Sequence, residues 1–200
     1  YFMVGLPTET ESDHDSLVDL VFRLRSLRKK SGRRGQINVS LTTFIPKPHT
    51  PFQWAKQLDL SRSEELLFSL RDRLRAPGIQ VKWQDPRVSL LEGLWARGDR
   101  RLMPLLEKAW ELGCRFDGWS DHFRFDRWCH AMEQTGVDID FFTTRPRAME
   151  EPMPWDHIDI GVSRSFLQEE YQRAVAAQST PDCRWGECNG CGACDFQSIA

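Results

Sequence analysis

YFMVGLPTETESDHDSLVDLVFRLRSL (1–27) and, a few residues on, QINVSLTTFI (36–45) decide the fold. The opening five residues form a short apolar run that stops at Gly5 and Pro7, the pattern of a strand entering a sharp loop. Thr10-Glu11-Ser12-Asp13 then carries helix-start chemistry, and Leu17, Leu20, Val21, Leu24 and Leu27 recur at helical spacing. That helix is expected to end near Ser31-Gly32. The second stretch is rich in β-branched residues and predicts a second strand. Strand, helix, strand with short connections is the signature of a βαβ unit in a parallel sheet, so the fold class is α/β.

Outward from this core, Pro46-Lys47-Pro48-His49-Thr50-Pro51 packs its prolines too tightly for a helix and forces an extended loop. Ser61 is expected to cap a helix over 61–76 with Leu66, Leu67, Leu70 and Leu74 inward, stopped by Pro77-Gly78. Residues 79–83 (IQVKW) predict a third strand. From about residue 86 the pattern changes to helices over 87–97, 99–113 and 121–135, with Asp99 as an N-cap and Gly113 as a C-cap. An irregular stretch over 137–160 precedes a last helix over 163–177, opened by Ser163.

The chain has 200 residues, 40% hydrophobic and 28% charged, with a net charge of -2. That is ordinary globular composition and gives no global pull toward nucleic acid or membrane. No apolar run approaches the roughly 18 residues of a spanning helix. The chain begins inside a strand pattern, so it is expected to be a fragment. Local charge is less even. Arg23, Arg25, Arg28, Lys29, Lys30, Arg33 and Arg34 fall in one stretch without an acid, which permits an RNA-binding patch or a solvated helix end suited to the dipole.

The plainest chemistry lies at the other end. Cys183, Cys188, Cys191 and Cys194 follow the spacing C-x4-C-x2-C-x2-C. Thiolates gathered so closely point to a soft metal: first an iron–sulfur cluster, second zinc, with disulfides or free thiols as the remaining possibility. Gly190 and Gly192 suit a tight wrap around either metal. Cys114 and Cys129 stand singly in apolar helical patterns and read as small buried hydrophobes. Cysteine usage suits a reducing compartment, and a cytoplasmic location is expected. Backbone amides in the loop Gly5-Leu6-Pro7-Thr8-Glu9-Thr10 have two readings: a cradle for a carboxylate ligand, or a turn with capping residues alone. His122 and His157 stand beside Asp121 and Asp156 as candidate acids or bases, or as ordinary structural or surface histidines. His14 and His130 look ordinary.

Several stretches resemble one superfamily. FMVGLPTETESD (2–13) resembles the segment after the fifth barrel strand of radical S-adenosylmethionine enzymes, and INVSLTTFIPKPHTPFQW (37–54) resembles the sixth strand and its loop. KWQDPRVSLLEGLWARGDRR (82–101), PWDHIDIGVS (154–163) and the closing C-x2-C-G-x-C are similar to narrower patterns. These belong to the radical-SAM Fe–S oxidoreductases related to proteins with a cobalamin-binding-like domain. The resemblance implies the C-terminal portion of a partial (βα) radical-SAM barrel over 1–85, a mainly helical extension over 86–178, and a Cys-rich metal-binding tail over 179–200.

It further implies S-adenosylmethionine bound on a 4Fe–4S cluster held by a C-x3-C-x2-C loop. This chain has no such loop, so alone it is expected to be inactive. By resemblance Gly5, Leu6, Pro7, Asn38, Ser40 and Ile45 lie near the cofactor, and Lys47, His49 and Thr50 rim the substrate opening. Thr8 replaces the glycine of GLPGET-like versions. The tail cysteines become ligands of a second cluster, and electrons are expected from a flavodoxin or ferredoxin. No catalytic residue and no substrate is assigned. The alternative is a zinc-tailed module that binds RNA or protein without catalysis; a third reading is a structural appendage with a metal clip.

Overall fold

The computed structural model describes residues 1–30 and 35–194. The end expected for the first helix and the basic residues Arg33 and Arg34 lie outside the described residues. The chain divides into two compact units, Tyr1–Ile45 with Gln57–Glu92, and Pro46–Lys56 with Gly93–Ala200.

In the first unit, β1 (Phe2–Val4), β2 (Ile37–Thr43) and β3 (Ile79–Trp83) form a parallel sheet in that order. Helices α1 (Glu11–Lys30) and α2 (Leu60–Arg73) make the crossovers. Phe2 is paired with Leu41 and Ile37 with Ile79, which makes β2 the central strand. Alternation along it is strict. Val39, Leu41 and Thr43 are buried, whereas Asn38, Ser40 and Thr42 are not. Val39 and Leu41 pack with Val4 against Leu17 and Val21 of α1 and against Leu67, Leu70 and Leu74. The opposite face carries Met3, Asn38, Ser40, Thr42, Gln80 and Lys82, because successive side chains of a strand point to opposite sides. The sheet is therefore helix-covered on one face and polar on the other.

α1 buries only part of its apolar pattern. Leu20, Leu24 and Leu27 remain 43%, 47% and 62% exposed. They follow one another at helical spacing on the flank beside Leu17 and Val21. α2 starts one residue earlier than expected, and its cap is Asp59, not Ser61: the Asp59 carboxylate accepts the Arg62 amide at 2.8 Å. It ends at Arg73, ahead of the Pro77-Gly78 stop.

α3 (Pro86–Arg97) contains the division between the units. The second unit continues with a 3-10 turn (Arg100–Leu102) capped by Asp99, then α4 (Met103–Glu111), α5 (Phe125–Thr135), the short α6 (Ile139–Phe142) and α7 (Arg164–Val175). Ser163 opens α7 and accepts the Phe166 amide. α6 lies within the stretch expected to be irregular; four residues capped by Asp138 are too short to show helical periodicity. Trp54, Met153, Trp155 and Leu167 make one core of this unit. No helix among the described residues is long and apolar enough to cross a membrane.

Leu70 is fully buried, so Leu70→Ala should cost about 2–5 kcal/mol of unfolding free energy. Leu24→Ala, on the exposed flank, should stay within about 0.5 kcal/mol. Urea denaturation of the two variants checks both values.

Candidate functional site

Parallel strands bring three loops to one end of the sheet. At β1 that loop is 5–10. Gly5 has φ +85°, and a Cβ there would lie 2.6 Å from Leu58 Cδ1, so both backbone and space call for glycine. Leu6 is half-buried and Pro7 exposed. The amides of Gly5 and Leu6 do not face solvent as an open cradle. Glu9 folds back, and its Oε2 accepts both, at 2.8 and 3.2 Å. The loop thus supplies its own carboxylate. Glu9 was not singled out by the sequence; its only signal is a position four residues past the glycine.

His14 completes this arrangement. Its Nε2 bonds Glu9 Oε1 and its Nδ1 lies 3.1 Å from Glu11 Oε2. Burial opposes charge on the ring, but the two carboxylates outweigh it and raise the His14 pKa above the ordinary value. Far from being an ordinary helix residue, His14 ties α1 to the loop.

At the end of β2, the Phe44 amide donates to Val4 O at 2.8 Å, which brings 44–45 beside the β1 loop. Ile45 is half-buried there. Thr43 Oγ1 is buried without a hydrogen-bond partner among the described residues. Ser40 lies mid-strand on the polar face, opposite Lys82. Asn38 pairs with Gln80 toward the opposite end of the strand, roughly 20 Å of extended chain from residue 44. Gly5, Leu6, Pro7 and Ile45 are brought together; Asn38 is not with them.

In the second unit the proline loop is rigid. His49 has φ +55°, unusual for a residue with a side chain. Its amide donates to Gln53 Oε1 at 3.1 Å, and the same oxygen accepts Trp155 Nε1 at 2.7 Å. Gln53 is itself buried. His49 Nε2 is buried and has no hydrogen-bond partner among the described residues. Thr50 Oγ1 donates to Lys47 O at 2.8 Å, closing the turn, and Lys47 is exposed. Composition identifies the stiffness of this loop but not Gln53 or Trp155 as its clamp.

The tail docks by its backbone. The Ser163 amide donates to Cys191 O at 2.8 Å. Gly192 has φ +89°, and a Cβ there would lie 3.2 Å from Gly161 O. Thr180 Oγ1 donates to the Glu170 carboxylate, and Asn189 Nδ2 to Pro181 O at 2.7 Å. Two amides point at sulfur: Gly190 N to Cys188 Sγ and Ala193 N to Cys191 Sγ, each at 3.4 Å. Amides that donate to sulfur two residues back stabilise a thiolate and tune a metal bound to it. All four tail cysteines are free thiols. Among the described residues no three His, Cys, Asp or Glu side chains converge as a metal-binding group. Donor type and local amide geometry fit a thiolate-held metal; convergence of the four sulfurs is not part of this arrangement. Cys114 is buried and Cys129 half-buried, and burial pushes both thiols up in pKa.

Over 107 residues the chain is 32% identical to the uncharacterized protein MJ0966 of Methanocaldococcus jannaschii. The match covers 54% of this chain and 22% of the archaeal protein, so the chain spans well under two thirds of that relative. No protein-family model matches the chain. No solved structure matches it.

Two outcomes follow from these contacts. His14 should titrate above its usual midpoint, and Glu9→Gln should lower that midpoint, as read from ring proton shifts against pH. Because the folded-state pKa is raised, the His14 contribution to stability is full below its unfolded pKa. It is lost as pH rises through the folded value. Gln53→Leu leaves the His49 amide and Trp155 Nε1 without their acceptor and should cost about 2–4 kcal/mol, measurable by chemical denaturation.

Proposed function

We propose that this chain is the C-terminal part of a radical S-adenosylmethionine enzyme, with a second iron–sulfur centre on its tail. The observation that carries this reading is the one-sided layering of the sheet. α1 and α2 both cover one face, and the other presents Ser40, Thr42, Gln80 and Lys82, as the inner wall of a (βα) barrel would. The edge of β1 that no strand among the described residues pairs, and the exposed Leu20, Leu24 and Leu27 on α1, are surfaces that a further βα unit would cover. Supporting this, Gly5, Leu6, Pro7 and Ile45 collect at the C-terminal ends of parallel strands, where α/β folds bind ligands.

When bound, a 4Fe–4S centre would supply the electron that cleaves S-adenosylmethionine. The work of this chain is positional. Glu9 holds the Gly5 and Leu6 amides, which fixes the path of the loop near the proposed cofactor. Cys188 and Cys191, with Cys183 and Cys194, would hold the second centre, and the Gly190 and Ala193 amides donate to the sulfurs of the first two. Lys47, His49 and Thr50 are proposed substrate contacts. His49 is the one with a buried ring nitrogen left to donate or accept. A reduced flavodoxin or ferredoxin in the cytoplasm is the proposed electron source.

The same amide–sulfur contacts suit zinc, which keeps a second reading: a zinc-tailed module that binds RNA or protein. Metal analysis separates the two. The full-length polypeptide, reconstituted without oxygen, should be brown and absorb broadly near roughly 400 nm. On reduction with S-adenosylmethionine it should release 5′-deoxyadenosine. Cys188→Ala with Cys191→Ala should remove about four irons per chain, one cluster's worth, without abolishing that release. Stoichiometric zinc, no iron and no 5′-deoxyadenosine would replace the enzyme reading with the zinc module.

A further inference from the structure

Two of the motifs quoted above remain without a role: the end of KWQDPRVSLLEGLWARGDRR and the start of PWDHIDIGVS. Far apart in sequence, they line one cavity of about 670 Å³, walled by Gly98, Asp99, Arg100, Arg101, Pro154 and His157. All six belong to the second unit.

The cavity is basic, and part of its wall is preset. Arg101 is forked onto Asp99, with Nε 2.9 Å from Oδ1 and Nη2 2.7 Å from Oδ2. Its guanidinium also rests over Phe141 and Phe142, at 5.1 and 5.3 Å from the ring centres. The side chain is therefore held on two sides. Arg100 and His157 are exposed, and neither side chain makes a hydrogen bond among the described residues; the Arg100 carbonyl accepts the Met103 amide.

A second, independent imbalance lies just before this wall in the chain. Arg97 is completely buried and Arg147 nearly so. Arg97 Nε donates to Phe142 O at 2.9 Å and its Nη1 to Ala55 O; Arg147 Nη2 donates to Arg97 O at 2.9 Å. Neither guanidinium is hydrogen-bonded to a carboxylate of the described residues. Arg97 Nη2 and Arg147 Nε have no partner among the described residues. Burial first, and then repulsion from Arg147, lowers the Arg97 pKa to about 10, which still leaves it charged at neutral pH. The carboxylate that both feel, Glu151, is already forked by Arg145 at 2.8 and 2.6 Å. Five guanidiniums (97, 100, 101, 145 and 147) thus share two carboxylates, Asp99 and Glu151.

Charge held in a low-dielectric interior projects its field into the nearest open cleft. The cavity wall offers guanidinium and imidazole donors from two directions. A carboxylate would satisfy one guanidinium fork and leave most of the positive excess standing. A phosphate group carries up to two charges and three terminal oxygens, which matches several donors at once. We propose that this cavity binds a phosphate-class anion, a phosphomonoester or pyrophosphate group, held by Arg100, the unused edge of Arg101 and His157. Asp99 is a positioning residue that sets the Arg101 fork.

The test is calorimetric titration of the intact protein with pyrophosphate against chloride at matched ionic strength, and it requires no metal. One saturable site per chain is expected. Arg100→Ala and His157→Ala change exposed side chains, so both variants should keep the parent circular dichroism. Each should weaken pyrophosphate binding by about tenfold or more. A short RNA with a 5′-phosphate and the same RNA with a 5′-hydroxyl identify the source of the phosphate. Tighter, Arg100-dependent binding of the phosphorylated form marks a nucleic-acid end, and pyrophosphate binding without that difference marks a small phosphorylated ligand. Absence of saturable pyrophosphate binding up to about 10 mM, far weaker than a useful site, overturns the proposal. So does an affinity that neither substitution changes.

Discussion

β2 is hydrogen-bonded on both sides, to β1 over 41–43 and to β3 over 37–41, and its Leu41 has no exposed surface. Parallel pairing on both edges forces the exits of β1, β2 and β3 to one end of the sheet. It forces each connection to cross back along a face, and here α1 and α2 both use the same one. The alternation of Val39, Leu41 and Thr43 with Asn38, Ser40 and Thr42 then divides apolar packing from polar surface. A slip of one residue in this register would send Leu41 into water and Ser40 into the helices. The position of the Gly5 loop beside residue 45 is a consequence of that register.

The second unit solves a different problem. Its connections are irregular, so backbone amides and carbonyls there need partners from outside helices and strands. Buried polar side chains take over that task. Gln53 accepts from the His49 amide and from Trp155, while Arg97 and Arg147 satisfy carbonyls of Ala55, Phe142 and Arg97. Buried guanidiniums in this role carry charge into the interior without a hydrogen-bonded carboxylate among the described residues. The cost of holding such charge is tolerable where donors are mostly satisfied and solvent or a counter-ion lies near. Orphaned atoms on both arginines mark where that compensation is incomplete.

The helices and strands of the first unit were readable because their periodicities are clean. Ile37, Val39 and Leu41 announce a strand, and Leu67, Leu70 and Leu74 a helix. Ser61 is as good a cap chemically as Asp59; which of the two is used depends on where the chain leaves the preceding loop. The tail cysteines were legible from spacing alone, since ligand chemistry is carried by residue type. Glu9, His14, Gln53 and Trp155 were not. Each acts through one to three polar contacts to a neighbouring loop, amide or side chain, and a polar residue gives no periodic sign of its partner.

By itself the sequence determined the element order, the α/β class and the presence of four closely spaced thiols, because hydrophobic period and residue type are local properties. Tertiary structure decided the rest. It placed Gly5 beside Ile45 and left Asn38 at the other end, made Glu9 the occupant of its own loop, and joined the 98–101 and 154–157 stretches around one basic cavity. Those outcomes depend on which distant backbone groups and charges come within a few ångströms of each other. That proximity is set by packing, and no local pattern in the chain encodes it.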